Sequence, residues 1–309
     1  MRSFRRILVT GGAGFIGHNL VGALLARGDD VTVLDNRSSS SPLPDHADAT
    51  YVEGDVVDPP TINGGFDAIY HLASVASPPR YLSDPIGTLM AGSEGTRNML
   101  ERAAGDGATF VFASTSEVYG DPLEHPQAES YNGNVDVTSP RACYDEAKRY
   151  GEAMTHTYHR LGKVPETRVA RIFNTYGPAM DPDDGRVVTN FLVQALRGEP
   201  LTIFGDGSQT RSFCYVEDLV EGLLLLEASG ESRPVNLGNP HERTINEFAA
   251  IVVDLLGETG RDYRDLPDSD PVRRRPDITR ARHLLGWEPK TDLHVGLGHT
   301  IAYLRRQVV

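Results

Sequence analysis

Tyr144 and Lys148 stand four residues apart in the run Tyr144-Asp145-Glu146-Ala147-Lys148. On a helix this spacing puts both side chains on one face. A phenol ordinarily keeps its proton to about pH 10. A neighbouring ammonium favours phenolate and lowers that value. Tyr144 would then act as a base toward a substrate hydroxyl, with Lys148 beside it. The spacing alone occurs in many unrelated chains. It gains meaning downstream of Ser114-Thr115-Ser116, where Thr115 or Ser116 would share the hydroxyl hydrogen bond and position the substrate.

A second set lies near the start. Gly11-Gly12-Ala13-Gly14-Phe15-Ile16-Gly17 follows the apolar run Ile7 to Val9, with GxxGxxG spacing. Glycines there let a backbone turn tightly and approach a pyrophosphate, which sits at the N-terminus of the following helix. Asp35 closes the next apolar run, 18 residues beyond Gly17. A carboxylate at that point accepts from both adenosine ribose hydroxyls and repels a 2′-phosphate, which favours NAD over NADP. Arg37 is the one nearby cation that works against this choice. Asp55 and Val56 fall where an adenine would be held. Asn36, Leu72 and Ala73 complete the expected cofactor set with Gly11, Gly14, Phe15, Ile16, Gly17, Tyr144 and Lys148. A positive nicotinamide ring would add to the effect of Lys148 on Tyr144, and Lys148 would also hold the nicotinamide ribose.

These residues need a scaffold, and the apolar pattern supplies one. Ile7 to Val9, Val31 to Leu34, Ala68 to Leu72, Phe110 to Ala113 and Thr167 to Ile172 read as buried strands. Phe15 to Arg27, Ile86 to Ala104 and Tyr144 to Leu161 read as the helices between them. Alternation of this kind predicts a doubly wound, Rossmann-type parallel sheet covered on both faces, with ligands at the carboxyl ends of its strands. After Asn174 glycine and proline become frequent, and helices are predicted over Thr189 to Arg197, Glu217 to Ala228, Thr244 to Leu256 and Ile278 to Leu285. The expected organisation is a dinucleotide-binding domain over 1–174 and a smaller α/β substrate-binding domain over 175–309, with segments near 211–235 packing back on the first. The Arg273-Arg274-Arg275 run, flanked by prolines, reads as a fixed loop.

The 309 residues carry a net charge of −13. An acidic surface repels phosphate backbones, which argues against nucleic-acid binding. Two cysteines without CxxC or His/Cys spacing argue against a disulfide framework and a metal site, and suit a reduced, cytoplasmic protein. No apolar run approaches the roughly 18 residues of a membrane span, and the basic start gives way after three apolar residues.

The chain resembles the extended short-chain dehydrogenases/reductases, and within them the UDP-glucuronic acid decarboxylases. The likeness runs over essentially its whole length. It is carried by the glycine motif, His71-Leu72-Ala73-Ser74 with Ser77-Pro78-Pro79, Ser114-Thr115-Ser116-Glu117-Val118-Tyr119-Gly120, Arg141-Ala142-Cys143-Tyr144-Asp145-Glu146, Arg171-Ile172-Phe173-Asn174-Thr175, Gly185-Arg186-Val187-Val188, Gln209-Thr210-Arg211, and Arg274 before Pro276-Asp277. The resemblance implies NAD-dependent conversion of UDP-glucuronic acid to UDP-xylose through a UDP-4-keto sugar. It implies catalytic roles for Thr115, Ser116, Glu117, Tyr144, Lys148 and Arg211, with Glu117 and Arg211 handling decarboxylation and proton delivery at C5. Tyr81, Asn174, Arg186, Arg211 and Arg274 would hold the substrate, although for Arg186 a structural ion pair is as good a reading. A homodimer would form through the helices near Ile86 to Ala104 and Tyr144 to Leu161.

The chain departs from the family at Met90-Ala91-Gly92, where a Lys-Thr-Asn run would supply a lysine near the cofactor and an asparagine bracing the active-site helix. Two other functions compete. A UDP-glucuronate 4-epimerase would use the same cofactor, base and keto sugar but keep the carboxylate. A non-catalytic nucleotide-sugar or NAD-binding protein would bind without turnover. The Ser116-Glu117 pair, in place of the Asp-Glu of TDP-glucose dehydratases, counts against loss of a hydroxyl.

Overall fold

The structure is a computed structural model, and it describes residues 4–38, 45–265 and 273–308. In chain order the first half runs β1 (Arg6–Thr10), α1 (Phe15–Arg27), β2 (Asp30–Asp35), β3 (Thr50–Glu53), β4 (Ala68–His71), α2 (Pro78–Ser83), α3 (Pro85–Met90), α4 (Thr96–Asp106), β5 (Thr109–Thr115), α5 (Ala142–Arg160) and β6 (Thr167–Ile172). The second half adds β7 (Thr175–Tyr176), α6 (Val187–Leu196), β8 (Leu201–Phe204), β9 (Thr210–Ser212), β10 (Cys214–Tyr215), α7 (Val216–Ala228), β11 (Pro234–Leu237), β12 (Glu242–Thr244), α8 (Ile245–Leu256), β13 (Arg261–Arg264), α9 (Thr279–Leu285) and α10 (Leu293–Val308).

Seven strands form one parallel sheet in the order β11-β6-β5-β4-β1-β2-β3. Side chains alternate across such a sheet. Ile7 and Val9 therefore enter one core cluster while Leu8 enters the other. Both faces are covered, which is why these strands read as unbroken apolar runs rather than alternating ones. The chain winds from β1 out to β3, then returns to β4 on the other side of β1. That reversal opens a crevice above β1 and β4, where doubly wound sheets take their ligands.

The sheet is not confined to the first half, because β11 pairs with β6 from Pro234 opposite Val169 to Leu237 opposite Ile172. One core cluster runs from Ile7 through Phe191, Phe248 and Trp287 to Leu304. The two halves therefore share a packed interior. Three small pairs, β7 with β10, β8 with β13 and β9 with β12, frame the second half. The apolar pattern did not predict α2, α10 or the small pairs.

The helix expected over Ile86 to Ala104 is interrupted. Between α3 and α4 the turn Ala91–Gly95 is a π-helix with Gly92 and Gly95 buried. A Cβ on Gly92 would lie 2.5 Å from Cβ of Ala147, and one on Gly95 2.6 Å from Cγ1's twin methyl, Cγ2, of Val56. The local bulge and Gly92 let this turn press against α5 at Ala147, one residue before Lys148, while Gly95 makes room for Val56. Close backbone packing stands where an asparagine brace was expected.

Candidate functional site

The glycine loop forms because two of its members cannot be replaced. Gly11 has φ +73, and a Cβ there would meet the Ala73 backbone N at 2.8 Å. A Cβ on Gly17 would come within 2.1 Å of the Gly11 carbonyl oxygen. Together they bring the start of α1 down onto the end of β1. Above Gly14 the space is open, the nearest atom being the Gly11 oxygen at 3.4 Å from a built Cβ. This is a cradle for a phosphate at a helix N-terminus, and the residues fit a dinucleotide.

Asp35 ends β2 and accepts from the Ala13 N–H (2.9 Å) and the Arg37 N–H (2.7 Å). Asn36 donates to Asp55 (2.7 Å), so both expected polar contacts for the adenosine end are gathered at the tips of β2 and β3. Val56 differs, because its side chain lies in the core against Gly95. Arg37 is paired with Asp45 through two contacts of 2.8 Å and lies over the Tyr51 ring. Its charge is therefore met by a carboxylate of the same chain.

A cavity of about 640 Å³ runs from the glycine loop across the carboxyl ends of the strands. Among its lining are Gly11, Gly14, Leu72, Thr115, Ser116, Glu117, Tyr144, Lys148, Asn174, Arg186, Arg211 and Arg274. Tyr81 also lines it, stacked on Tyr144 with ring centroids 5.2 Å apart, its hydroxyl buried and unpartnered. Asp35, Asn36, Asp55 and Ala73 lie outside this lining. Residues from β5, α5, the β6–β7 link, β9 and the segment at 274 thus meet in one space.

Lys148 Nζ donates to the Ala113 carbonyl (2.8 Å) and lies over the Tyr144 ring. Burial lowers its ammonium to about 7. Burial also pushes the Tyr144 phenol above its ordinary range, against a hydrogen bond with Thr115 that pulls it down. The expected depression of Tyr144 by Lys148 is therefore not what governs this pair. Burial is the first cause of the shift in each, and it disfavours the charged form of both. Beside them His71 is held between Thr10 Oγ1 (2.8 Å) and Thr96 Oγ1 (3.2 Å), and burial lowers it to about 3, so it is neutral. Thr10 Oγ1 also accepts from the Ala73 N–H (3.2 Å), which fixes the loop after β4.

Glu117 is held very differently. Arg274 donates to both of its oxygens, one of these contacts measuring 2.9 Å, and Arg141 donates to Oε2 (2.8 Å). Burial alone would raise this carboxyl, but the two guanidinium charges outweigh it and leave it at about 2. Such a carboxyl holds no proton at neutral pH. In this arrangement Glu117 is an anion that aligns two arginines. Asp145, next along α5, responds to the same cluster in the opposite sense. Burial and the Glu117 charge raise it to about 7, and its Oδ1 is buried without a partner.

Arg186 forms the structural ion pair that was one of its two readings. It pairs with Asp184, one contact being 2.9 Å, and both residues line the cavity. Arg211 donates to the Thr210 carbonyl (2.8 Å) from β9, which pairs antiparallel with β12. Arg141, which the motif pattern did not single out, stands three residues before Tyr144 at the N-cap of α5. Among the described residues no group of three His, Cys, Asp or Glu gathers to hold a metal ion.

A glycine cradle, a Tyr/Lys pair on α5 beside the end of β5 and an arginine-rich rim mark a dinucleotide-dependent enzyme of the extended short-chain dehydrogenase/reductase type. The chain matches the model of the NAD dependent epimerase/dehydratase family over residues 7–238 and belongs to that family. It is 50% identical to UDP-glucuronic acid decarboxylase 1 of Xenopus tropicalis, over 98% of this chain and 73% of the relative. It is 49% identical to UDP-glucuronic acid decarboxylase 4 of Arabidopsis thaliana, over 99% and 70%. Among solved structures it is similar to MoeE5 in complex with UDP-glucuronic acid and NAD, with a TM-score of 0.84 and 29% identity, covering 98% of this chain and 99% of that one. UDP-glucose 4-epimerase of Thermotoga maritima, solved with UDP-glucose, gives a TM-score of 0.89 at 31% identity, covering 98% and 100%.

Proposed function

We propose that this chain decarboxylates UDP-glucuronic acid to UDP-xylose with NAD as resident cofactor. The observation that carries the reading is the joint lining of one cavity by Tyr144, Lys148 and the Glu117–Arg141–Arg274 cluster. That arrangement offers a base for a sugar hydroxyl and, across from it, positive charge for a uronate. The similarity to several decarboxylases at about half identity supports the same choice.

Gly11, Gly14 and Gly17 with the start of α1 would hold the pyrophosphate, Asp35 the adenosine ribose, and Lys148 the nicotinamide ribose. Bound there, NAD⁺ would supply a reversible hydride acceptor for the sugar and positive charge beside Tyr144. Tyr144 removes the C4 hydroxyl proton, with Thr115 and Ser116 holding the oxygen. The ketone so formed at C4 is β to the carboxylate. Loss of CO₂ leaves an enolate, which takes one proton at C5. Tyr144 then gives its proton back to the C4 oxygen. The net change is uptake of one proton and release of CO₂. Arg141, Arg186, Arg211 and Arg274 supply paired donors for carboxylate and diphosphate, with Asn174 and Tyr81 bordering the sugar.

Residues 1–174 form the cofactor half and 175–309 the nucleotide-sugar half of this reading, the latter with segments near 211–235 folded back on the sheet. Ile86, Leu89 and Met90 on α3 and Tyr150 on α5 are exposed apolar side chains on adjoining helices, which supports a homodimer through that face. Two buried free thiols, Cys143 and Cys214, suit a reducing cytoplasm. Among the described residues no helix is long and apolar enough to cross a membrane.

Incubation with UDP-glucuronic acid and NAD⁺, followed by proton NMR of the sugar, tests the proposal. UDP-xylose with released CO₂ is expected. UDP-galacturonate without CO₂ would replace it with 4-epimerisation, and binding without turnover would point to a non-catalytic protein.

A further inference from the structure

Arg274 reaches Glu117 from a segment 157 residues away in sequence, and something must hold that segment in place. Gln127 does so with three of its four polar atoms. It is fully buried and lies outside the cavity lining. Its backbone N–H donates to the Arg275 carbonyl (2.9 Å), and its carbonyl accepts from the Asp277 N–H (2.9 Å). Its side-chain Oε1 accepts from the Arg275 N–H (2.8 Å), while Nε2 donates to the Glu124 carbonyl (2.8 Å). Asn236 on β11 locks the pair by donating to the carbonyls of both Gln127 (2.9 Å) and Asp277 (3.0 Å).

The far end of the same segment is tied as well, Arg273 forming a parallel bridge with Thr210 beside Arg211. From Asn236 the bonding continues inward. Tyr119 donates to Asn236 (2.7 Å), Arg171 donates to Tyr119 (3.0 Å) and to Glu152 (2.7 Å), and Ser114 donates to Glu152 (2.5 Å). The segment carrying Arg274 is thereby referenced to the end of β5 and to α5, the elements that bear Thr115, Tyr144 and Lys148.

We propose that Gln127 is a positioning residue that acts through Arg274, setting where that guanidinium meets Glu117 and the substrate carboxylate or diphosphate. This rests on the function proposed above. The physical reason is that a backbone segment without regular secondary structure has no ladder of its own. A side-chain amide that satisfies a main-chain N–H supplies the missing register. Misplacement of a reactive group by about 1 Å costs up to about 100-fold in rate.

The test is a double-mutant cycle on the full-length protein with NAD⁺, using Gln127→Leu and Arg274→Ala. Gln127→Leu alone should lower kcat/KM for UDP-glucuronic acid by about 10- to 100-fold. In the Arg274→Ala background it should add almost nothing. Its acid limb of activity should also move to higher pH, because Glu117 loses an aligned countercharge. Gln127→Glu, which keeps an acceptor for the Arg275 N–H, should recover part of the loss, and it stands in for the leucine variant if that one does not fold. Additive losses, or an unmoved acid limb, would overturn the proposal. The same cycle read by urea unfolding needs no turnover. If the wild type leaves UDP-glucuronic acid unchanged, the functional reading fails on its own, while non-additive unfolding still supports the role of Gln127 and additive unfolding still removes it.

Discussion

Tyr144 with Lys148 and Glu117 with its arginines line the same cavity, yet their charges are governed in opposite ways. The first pair is buried with neutral partners, a threonine hydroxyl for Tyr144 and a backbone carbonyl for Lys148. Desolvation pushes both toward their uncharged forms. Glu117 is less fully buried and, more to the point, two guanidinium groups keep it ionised. The difference teaches that burial alone does not decide a pKa. What decides it is whether the fold brings an opposite charge into hydrogen-bonding range. A desolvated phenol and lysine respond strongly to a charged ligand. A carboxylate already paired twice responds little.

The comparison breaks if the two sides prove interchangeable. The largest expected effect is on the uncompensated side. Tyr144→Phe removes the base and should lower kcat by about 100- to 10,000-fold, with NAD⁺ binding by fluorescence kept. Retained turnover would take the base away from Tyr144. On the compensated side, Glu117→Gln leaves Arg141 and Arg274 facing one another without their shared anion. It should cost about 3–5 kcal/mol of unfolding free energy near neutral pH. Because the folded-state value of this carboxyl is depressed, its contribution is present above the ordinary glutamate range. It fades as pH falls toward about 2, so denaturation curves of wild type and variant should converge in acid.

The smallest effect sharpens the contrast because its sign is reversed. Lys148 is a base whose folded value is lowered to about 7. The unfolded chain binds more protons between about pH 7 and 10.4, so stability rises with pH across that window. Below pH 7 the buried ammonium carries its full cost. Lys148→Met should therefore raise stability there by about 1–3 kcal/mol, offset in part by the bond lost to Ala113. The gain should shrink as pH rises toward 10.4. A destabilised variant at pH 6 would show that Lys148 is compensated after all.

Much of the cofactor side was legible in the sequence because its signals are local. Gly11 to Gly17, Asp35 and the Tyr144/Lys148 spacing each lie within one strand–turn–helix or one turn of helix, and local geometry alone places them. The interruption at Ala91–Gly95 was not legible. The turn packs against Ala147 and Val56, which come from other elements. Arg141 could have been found from its position at the N-cap of α5, three residues before Tyr144. Gln127 could not, since its importance lies entirely in partners near residues 236 and 275.

The sequence by itself determined the alternation of buried strands with helices, the glycine turn and the pairing of phenol with ammonium. Periodicity and steric freedom act over a few residues and need no partner from elsewhere. Only the tertiary structure decided the charge states. It joined β11 to the sheet, delivered Arg274 to Glu117, and buried Lys148 and Tyr144 deeply enough for desolvation to disfavour charge on both. Coulomb and desolvation energies depend on distance and burial, and neither is a property of a residue's place along the chain.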